Sequence, residues 1–270
     1  MKNIFMLETR NSRKGTIMWT IIISAVILFL LAFFPSMQTE SMQRLSGAKM
    51  EGIDPAVLAA LGVDKLIDFT VVTNYFGYVL QFIILAIMVY VTQRAVSLLV
   101  KEETDGTIEY LYAKPISRYE IFFGKLLSNL FMYVTMLTVF AVVTVIGYLL
   151  FSDFTLGQSI KEALIFYGAI LFVGIVFMSA GIFLSSLMKS SKGTSGITTA
   201  IVFGTFVLGM MSALIKGLDF MIYFSPMDWI KTQKLMADGI LPGEWIVGIA
   251  VIAGCVSAAC VKYGKKDFLV

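Results

Sequence analysis

Six apolar stretches that carry almost no charge dominate the sequence and limit what the chain can fold into. They are residues 17–34, 71–91, 126–151, 164–187, 197–215 and 241–261. About 20 apolar residues suffice for a helix to cross the hydrocarbon core of a membrane. Apart from Glu244 at the margin of the last stretch, none contains a charged residue, which is typical of ordinary membrane spans. The sequence therefore predicts an all-α integral membrane protein with six transmembrane helices, with residues 1–270 forming a single transmembrane domain.

The composition agrees with a membrane protein and excludes several kinds of chemistry. Of the 270 residues, 58 % are hydrophobic and 14 % charged, whereas soluble domains are about one-quarter charged. The sequence contains no histidine, which excludes histidine-based acid–base catalysis, nucleophilic triads and histidine metal sites. Cys255 and Cys260 lie close together in one apolar stretch and fit neither a zinc motif nor a disulfide framework. We therefore expect no metal site.

The distribution of lysine and arginine predicts how the chain is oriented. If both termini lie inside, the cytoplasmic segments are residues 1–16, 92–125, 188–196 and 262–270. These segments hold 14 basic and 7 acidic residues, and the remaining segments hold 7 basic and 11 acidic residues. Cytoplasmic segments of membrane proteins carry an excess of lysine and arginine. We therefore expect a multi-pass protein of the plasma membrane with both termini in the cytoplasm.

Two segments on the outer side, residues 35–70 and 216–240, are too long to be simple turns. In the second, Pro226 interrupts an apolar stretch, and Tyr223 and Trp229 are suited to the headgroup level of the membrane. We expect short interfacial helices in both segments.

The most charged part of the chain, residues 100–127, lies in the largest cytoplasmic segment of this topology. Its five acidic and four basic residues nearly cancel, so it is not a polybasic lipid anchor. Ile108, Leu111, Tyr112 and Pro115 follow at helical spacing and form one apolar stripe. This pattern predicts a short amphipathic helix that lies across the face of the membrane.

The flanking residues mark the ends of this short helix. Gly106 can release the chain from the preceding helix, and Pro115 can end the short one. Ser117 and Glu120 have the spacing of a capping box, so a new helix should begin at Arg118 and run into the third span. Two interpretations remain open on these grounds. The short helix either transmits movement from a cytoplasmic partner or only lies on the membrane.

Three motifs follow one another in this segment: Glu103-x-x-Gly106-Thr107-x-Glu109-x-Leu111, Pro115-x-Ser117-Arg118 and Gly124-Lys125. Together they closely resemble the cytoplasmic loop of type-2 ABC exporter permeases, the membrane subunits of ATP-binding-cassette exporters. The resemblance extends to the basic N-terminal segment, to SAGIFLSSLMKSS at the end of the fourth span and to the basic tail. It implies a coupling helix between spans two and three that seats in a groove of a cytoplasmic ABC ATPase subunit.

The resemblance also implies the site residues and the partners. The implied ATPase-coupling residues are Glu103, Gly106, Thr107, Glu109, Leu111, Tyr112, Pro115, Ser117 and Arg118. The implied partners are the ATPase, a second permease copy or close homologue, and the lipid bilayer, with no nucleic acid. No string in the chain fits the phosphate-binding loop G-x-x-x-x-G-K-[ST]. We therefore expect no ATPase activity and no cofactor in this chain, with ATP and magnesium bound by the partner.

The substrate is defined less sharply. Asn74 and Gln81 lie two helical turns apart and are candidates for a substrate path, although ordinary hydrogen bonds between helices would explain them too. Apolar spans suit an amphipathic or hydrophobic substrate, and the family exports antimicrobial peptides, drugs, lipids and sometimes sodium. We expect export of an antimicrobial peptide or drug. The alternatives are a stand-alone secondary transporter or channel, which the charge-free spans and the lack of an inverted repeat disfavour, and a membrane assembly protein without transport activity.

Overall fold

The computed structural model describes residues 1–39, 68–106, 116–215 and 218–266. Six helices in these ranges are long and apolar enough to cross a membrane. In chain order the α-helices are α1 (Lys2–Ala32), α2 (Phe34–Met37), α3 (Val72–Ser97), α4 (Lys101–Thr104), α5 (Arg118–Phe151), α6 (Leu156–Leu187), α7 (Thr194–Leu214), α8 (Thr232–Ala237) and α9 (Pro242–Gly264). The prediction of an all-α fold with six long apolar helices is confirmed.

Several of the long helices extend well beyond the apolar stretches. The first helix begins at Lys2, and α5 runs for 34 residues without a break. At 1.5 Å per residue α5 is about 51 Å long, more than the roughly 30 Å of a hydrocarbon core. The reason is local, because capping boxes at Ser117 and Thr155 start α5 and α6 in polar sequence ahead of the apolar residues.

The fourth long helix, α6, lies at the centre of the bundle. It packs against α3, α5 and α9, whereas α1 packs mainly on α5, and α7 packs on α3. The apolar window of α6 is 67 % buried, against 22 % for α1 and 17 % for α7 and for α9. The peripheral helices therefore present most of their apolar surface outward, as helices that face lipid do.

The close crossing of α3 and α6 depends on small residues. A Cβ atom at Gly181 would lie 2.7 Å from the Cβ of Ala95 and 3.2 Å from the carbonyl oxygen of Thr92. One turn further along α6, the hydroxyl of buried Ser185 accepts a hydrogen bond of 2.9 Å from the backbone N–H of Leu99. These contacts fix the end of α3 against α6.

The segment between α7 and α9 contains short helices, and one of its aromatic side chains is buried inside the protein. Two 3₁₀ helices, Asp219–Phe224 and Asp228–Ile230, precede α8. Trp229 has no exposed surface, and its indole N–H donates to the carbonyl oxygen of Ile222 over 2.8 Å. Trp229 therefore packs inside the protein and does not offer its ring to lipid headgroups, and its depth in the membrane stays a prediction. The Ser225 hydroxyl donates a hydrogen bond to the Asp228 carboxylate and closes the turn before Trp229. The Trp229 side chain itself packs inside the protein.

Two predictions concern parts of the chain that the structure does not describe. Interfacial helices in the first outer segment would fall mainly on residues 40–67, and most of the predicted coupling helix falls on residues 107–115. That residues 1–270 form a single domain also stays a prediction.

Candidate functional site at the charged end of the helical bundle

Charged residues gather at the end of the bundle where α1 begins and where α3, α6 and α9 end; this is called the charged end below. The amino group of Met1 lies 3.5 Å from the carboxylate of Glu120 in the first turn of α5. Arg118 donates to the carbonyl oxygens of Gly264 at 3.1 Å and Lys266 at 2.8 Å. The two ends of the predicted coupling segment therefore lie on one surface with the start of α1 and the end of α9.

A buried lysine joins α4 to α5 at this end. Lys125 is 1 % exposed, and its ammonium group forms an ion pair with Glu102 of α4. The same ammonium donates to the carbonyl oxygen of Leu98 over 2.7 Å. A buried charge is tolerated only when a counter-charge and hydrogen bonds replace its water. Lys125 of the Gly124-Lys125 motif thus fixes α4 against the beginning of α5.

The neighbouring glutamate pairs with the tail after α9. Glu103 forms an ion pair with Lys266, and side chains of both residues are about one-tenth exposed, at 11 % and 9 %. Lys266 also donates to the carbonyl oxygen of Met188 at the end of α6 over 2.6 Å. Glu103, which the sequence assigns to the ATPase-coupling segment, is therefore held inside the protein by an internal ion pair.

The pairs Glu102–Lys125 and Glu103–Lys266 together are called the glutamate bracket. They attach a helix of four residues, α4, to both α5 and the tail of α9. A third contact ties α4 to the link between α6 and α7, where the backbone N–H of Ser191 donates to the Thr104 hydroxyl over 2.7 Å. The bracket makes α4 a fixed point despite its short length.

The chain leaves α4 at Gly106 and returns at Ser117. Gly106 has φ +65°, a left-handed conformation that glycine adopts without strain, as the sequence predicted for a residue that releases the chain. The hydroxyl of Ser117 accepts from the backbone N–H of Glu120 over 3.2 Å, and the Glu120 carboxylate accepts from the backbone N–H of Ser117 over 3.2 Å. The predicted capping box and the start of α5 at Arg118 are confirmed.

The structure describes only part of the predicted coupling set. Glu103, Gly106, Ser117 and Arg118 are described and lie together at the charged end. The coupling role of the whole set stays a prediction. The residues that lie outside the described part of the chain are Thr107, Glu109, Leu111, Tyr112 and Pro115.

Sequence reasoning did not predict the glutamate bracket. Its partners are separated by 23 residues in one pair and 163 in the other, so no local pattern joins them. One signal was present in the sequence. Lys125 follows Ile121 by four residues and Phe122 by three, which places a lysine on the buried face of α5, where it requires a counter-charge.

A second polar layer lies deeper along α1, α3 and α5. Arg94 donates from Nε to the Asn129 side-chain oxygen over 3.1 Å and from a terminal nitrogen to the Ser12 hydroxyl over 2.7 Å. The hydroxyls of Thr16 and Tyr90 share a hydrogen bond of 2.9 Å nearby. This layer supplies partners for an arginine near the membrane, where an unpaired charge would be costly.

The two candidates for a substrate path lie near the opposite end of α3. Asn74 and Gln81 line a crevice of about 10 Å³ beside Thr232 of α8, which has room for about one water molecule. The Asn74 amide donates to the carbonyl oxygen of Asp68 over 3.1 Å. The structure therefore brings the two residues to one crevice, but this crevice is too small for a peptide or drug.

The described residues contain no group of three or more His, Cys, Asp or Glu side chains placed to hold a metal ion. At the charged end, α4 and α5 flank the short stretch of chain that joins them. Six long apolar helices define a multi-pass membrane protein.

A protein-family model described as "ABC-2 family transporter protein" matches residues 2–265. Because this match covers nearly the whole chain, the protein belongs to the ABC-2 family of transporter membrane proteins. Permeases of this family lack ATPase activity, bind no cofactor of their own and pair with an ATPase subunit. No curated protein matches the chain.

Proposed function

We propose that this chain is the permease subunit of an ABC exporter that moves an amphipathic or hydrophobic substrate, such as an antimicrobial peptide or a drug. A separate cytoplasmic ATPase supplies the energy. The family match supports the permease assignment, and the glutamate bracket is the observation that carries the coupling mechanism.

The coupling segment, which joins α4 to α5 and includes the predicted coupling helix Gly106–Lys114, is held where the chain leaves α4 and where it enters α5. On one side, α4 is held by the glutamate bracket. On the other side, Ser117 caps α5, and that helix continues without a break to Phe151. A movement of the ATPase that displaces this segment is therefore passed along about 51 Å of α5 to the opposite end of the bundle. The bracket passes the same displacement to the end of α9.

The proposed substrate class follows from the surfaces of the helices. The apolar windows of the peripheral helices α1, α7 and α9 are only 22 %, 17 % and 17 % buried, and in a membrane lipid or a second permease would cover the rest. A cavity formed between two such permeases would have mainly apolar walls, which suits an amphipathic or hydrophobic substrate. We propose an assembly of two permeases, identical or closely homologous, with two ATPases.

The test is to co-express the chain with its ATPase, reconstitute the complex in lipid, and measure subunit co-purification, ATP hydrolysis and transport. Interface cores depend on a few apolar anchors, and rim charges contribute little. Leu111→Ala together with Tyr112→Ala should weaken assembly or uncouple hydrolysis from transport, by about 1–3 kcal/mol for each anchor. Lys114→Ala is the matched control and should do far less. Wild-type assembly and coupling in the double variant would show that this helix only lies on the membrane.

The proposed orientation places both termini and the charged end in the cytoplasm, on the basis of the 14 basic residues in those segments. A single cysteine introduced at Gly47, with Cys255 and Cys260 replaced by alanine, should react with a membrane-impermeant thiol reagent added outside cells. If the cysteine reacts only after the cells are permeabilised, the orientation is the reverse of the one proposed. The family assignment would not change.

A further inference from the structure

A groove of about 810 Å³ opens between α6 and α9 at the charged end. Its walls are partly apolar and include Phe183 and Leu187 from α6 and Val261 from α9. Lys189, Lys262 and Lys265 also line it, together with Lys266 of the glutamate bracket. An apolar groove with a cationic rim matches a ligand that has an apolar body and an anionic head.

Three of these lysines are available to a ligand. Lys189, Lys262 and Lys265 are exposed, and none has an ion-pair partner among residues 1–39, 68–106, 116–215 and 218–266. Lys262 lies in the last turn of α9 and Lys265 directly follows the helix, and both line the groove. The groove therefore holds positive charge that no ion pair among the described residues balances.

A second, more apolar hollow of about 320 Å³ lies next to this groove, nearer the middle of the bundle and between α5, α6 and α9. Ser257 lines both cavities, and Ile252, Val256 and Met178 are among the walls of the second. From Ile252 to its end at Gly264, α9 rises about 18 Å. One leaflet of a bilayer has about 15 Å of hydrocarbon and 5–7 Å of headgroup region, so the two cavities together span one leaflet.

We propose that the two cavities form a binding site for an anionic phospholipid. An acyl chain lies in the apolar hollow, and the phosphate lies among Lys189, Lys262 and Lys265. Basic pockets between transmembrane helices bind anionic lipid headgroups by this combination of charge and apolar surface. The proposal requires only that the helices cross a membrane, and it holds whatever the substrate of the transporter is.

The apolar hollow argues for lipid rather than for a protein partner. A soluble ATPase subunit can reach the lysines at the end of the bundle, but it cannot fill a cavity that extends through the depth of a leaflet. The site also has a route to the coupling segment, because Lys266 borders the groove and holds Glu103 of the glutamate bracket. Bound lipid should therefore stabilise the bracket.

The experiment measures thermal unfolding of the full-length chain in detergent against increasing phosphatidylglycerol, phosphatidylcholine with the same acyl chains, and inorganic phosphate. Phosphatidylglycerol should raise the melting temperature, and the other two should not. At roughly fivefold in affinity per lysine, the triple variant Lys189→Gln, Lys262→Gln, Lys265→Gln should need about a hundredfold more phosphatidylglycerol for the same rise.

The matched control removes the same amount of charge from exposed lysines outside the groove. The triple variant Lys2→Gln, Lys14→Gln, Lys192→Gln should respond as the wild type does. Ala253→Trp, which fills the apolar hollow and keeps every lysine, should weaken the response to phosphatidylglycerol.

Four results would overturn the proposal. An equal response to phosphatidylcholine would remove the role of the lysines, and an equal response to inorganic phosphate would remove the role of the acyl chain. Equal losses in the two triple variants would show a general effect of charge. Loss of the phosphatidylglycerol response when the ATPase is bound would assign the groove to that subunit. None of these measurements depends on transport, so the site and the proposed export function can fail separately.

Discussion

The buried ion pair between Lys125 and Glu102 predicts that replacing one partner costs more stability than replacing the other. The Lys125 side chain is 2 % exposed, whereas the Glu102 side chain is 19 % exposed. Glu102→Gln leaves an ammonium group buried with the carbonyl oxygen of Leu98 as its one described acceptor. Removing one partner of a buried pair in this way costs about 3–5 kcal/mol. Because Glu102 is partly exposed, we expect a loss of unfolding free energy at the lower limit of this range, about 3 kcal/mol.

Lys125→Met should cost less, about 1 kcal/mol, because methionine fills the site and the freed carboxylate of Glu102 can turn to water. The double variant should return to within about 1 kcal/mol of the wild type, since an apolar replacement of a buried pair is often neutral.

The assay is the fraction of monodisperse protein that remains after heating in lipid nanodiscs. At about 2–4 °C per kcal/mol, Glu102→Gln should lower the midpoint by about 6–12 °C and Lys125→Met by about 2–4 °C. Equal losses in the two single variants, or a double variant no better than Glu102→Gln, would refute the reasoning. Either result would mean that the ammonium group is hydrated or has another counter-charge.

Three further substitutions test the packing and the coupling segment. Gly181→Ala should lower the melting temperature by several degrees, because its Cβ would clash with Ala95, whereas Gly168→Ala, with open space around it, should be neutral or slightly stabilising. Trp229→Ala should cost about 3–5 kcal/mol in the same assay, and exposed Tyr223→Ala under about 1 kcal/mol; similar losses would contradict the burial of Trp229. Pro115→Ala should reduce transport per ATP hydrolysed while the ATPase still co-purifies, because the short helix is no longer stopped there; unchanged coupling would count against this role.

The sequence alone determined the six long helices and several of their ends. Lipid offers no hydrogen bonds to the backbone, so an apolar stretch of sufficient length has to be helical whatever surrounds it. Helix starts are local as well. The hydroxyl of Ser117 and the carboxylate of Glu120 are three residues apart, and they satisfy backbone groups within the same turn. Glycine at position 106 permits the left-handed conformation that the chain adopts there.

Only the tertiary structure decided which helix is central and which charges meet. In a membrane, the surface that faces lipid is as apolar as the surface that faces protein, so hydrophobic periodicity does not show that α6 is buried and α9 is peripheral. For the same reason the sequence does not show that Trp229 packs inside the protein. The partners of Glu102 and Glu103 come from different helices, and no local pattern records that Lys125 and Lys266 lie beside them. Ion pairs of this kind exist only once packing has brought the helix ends together.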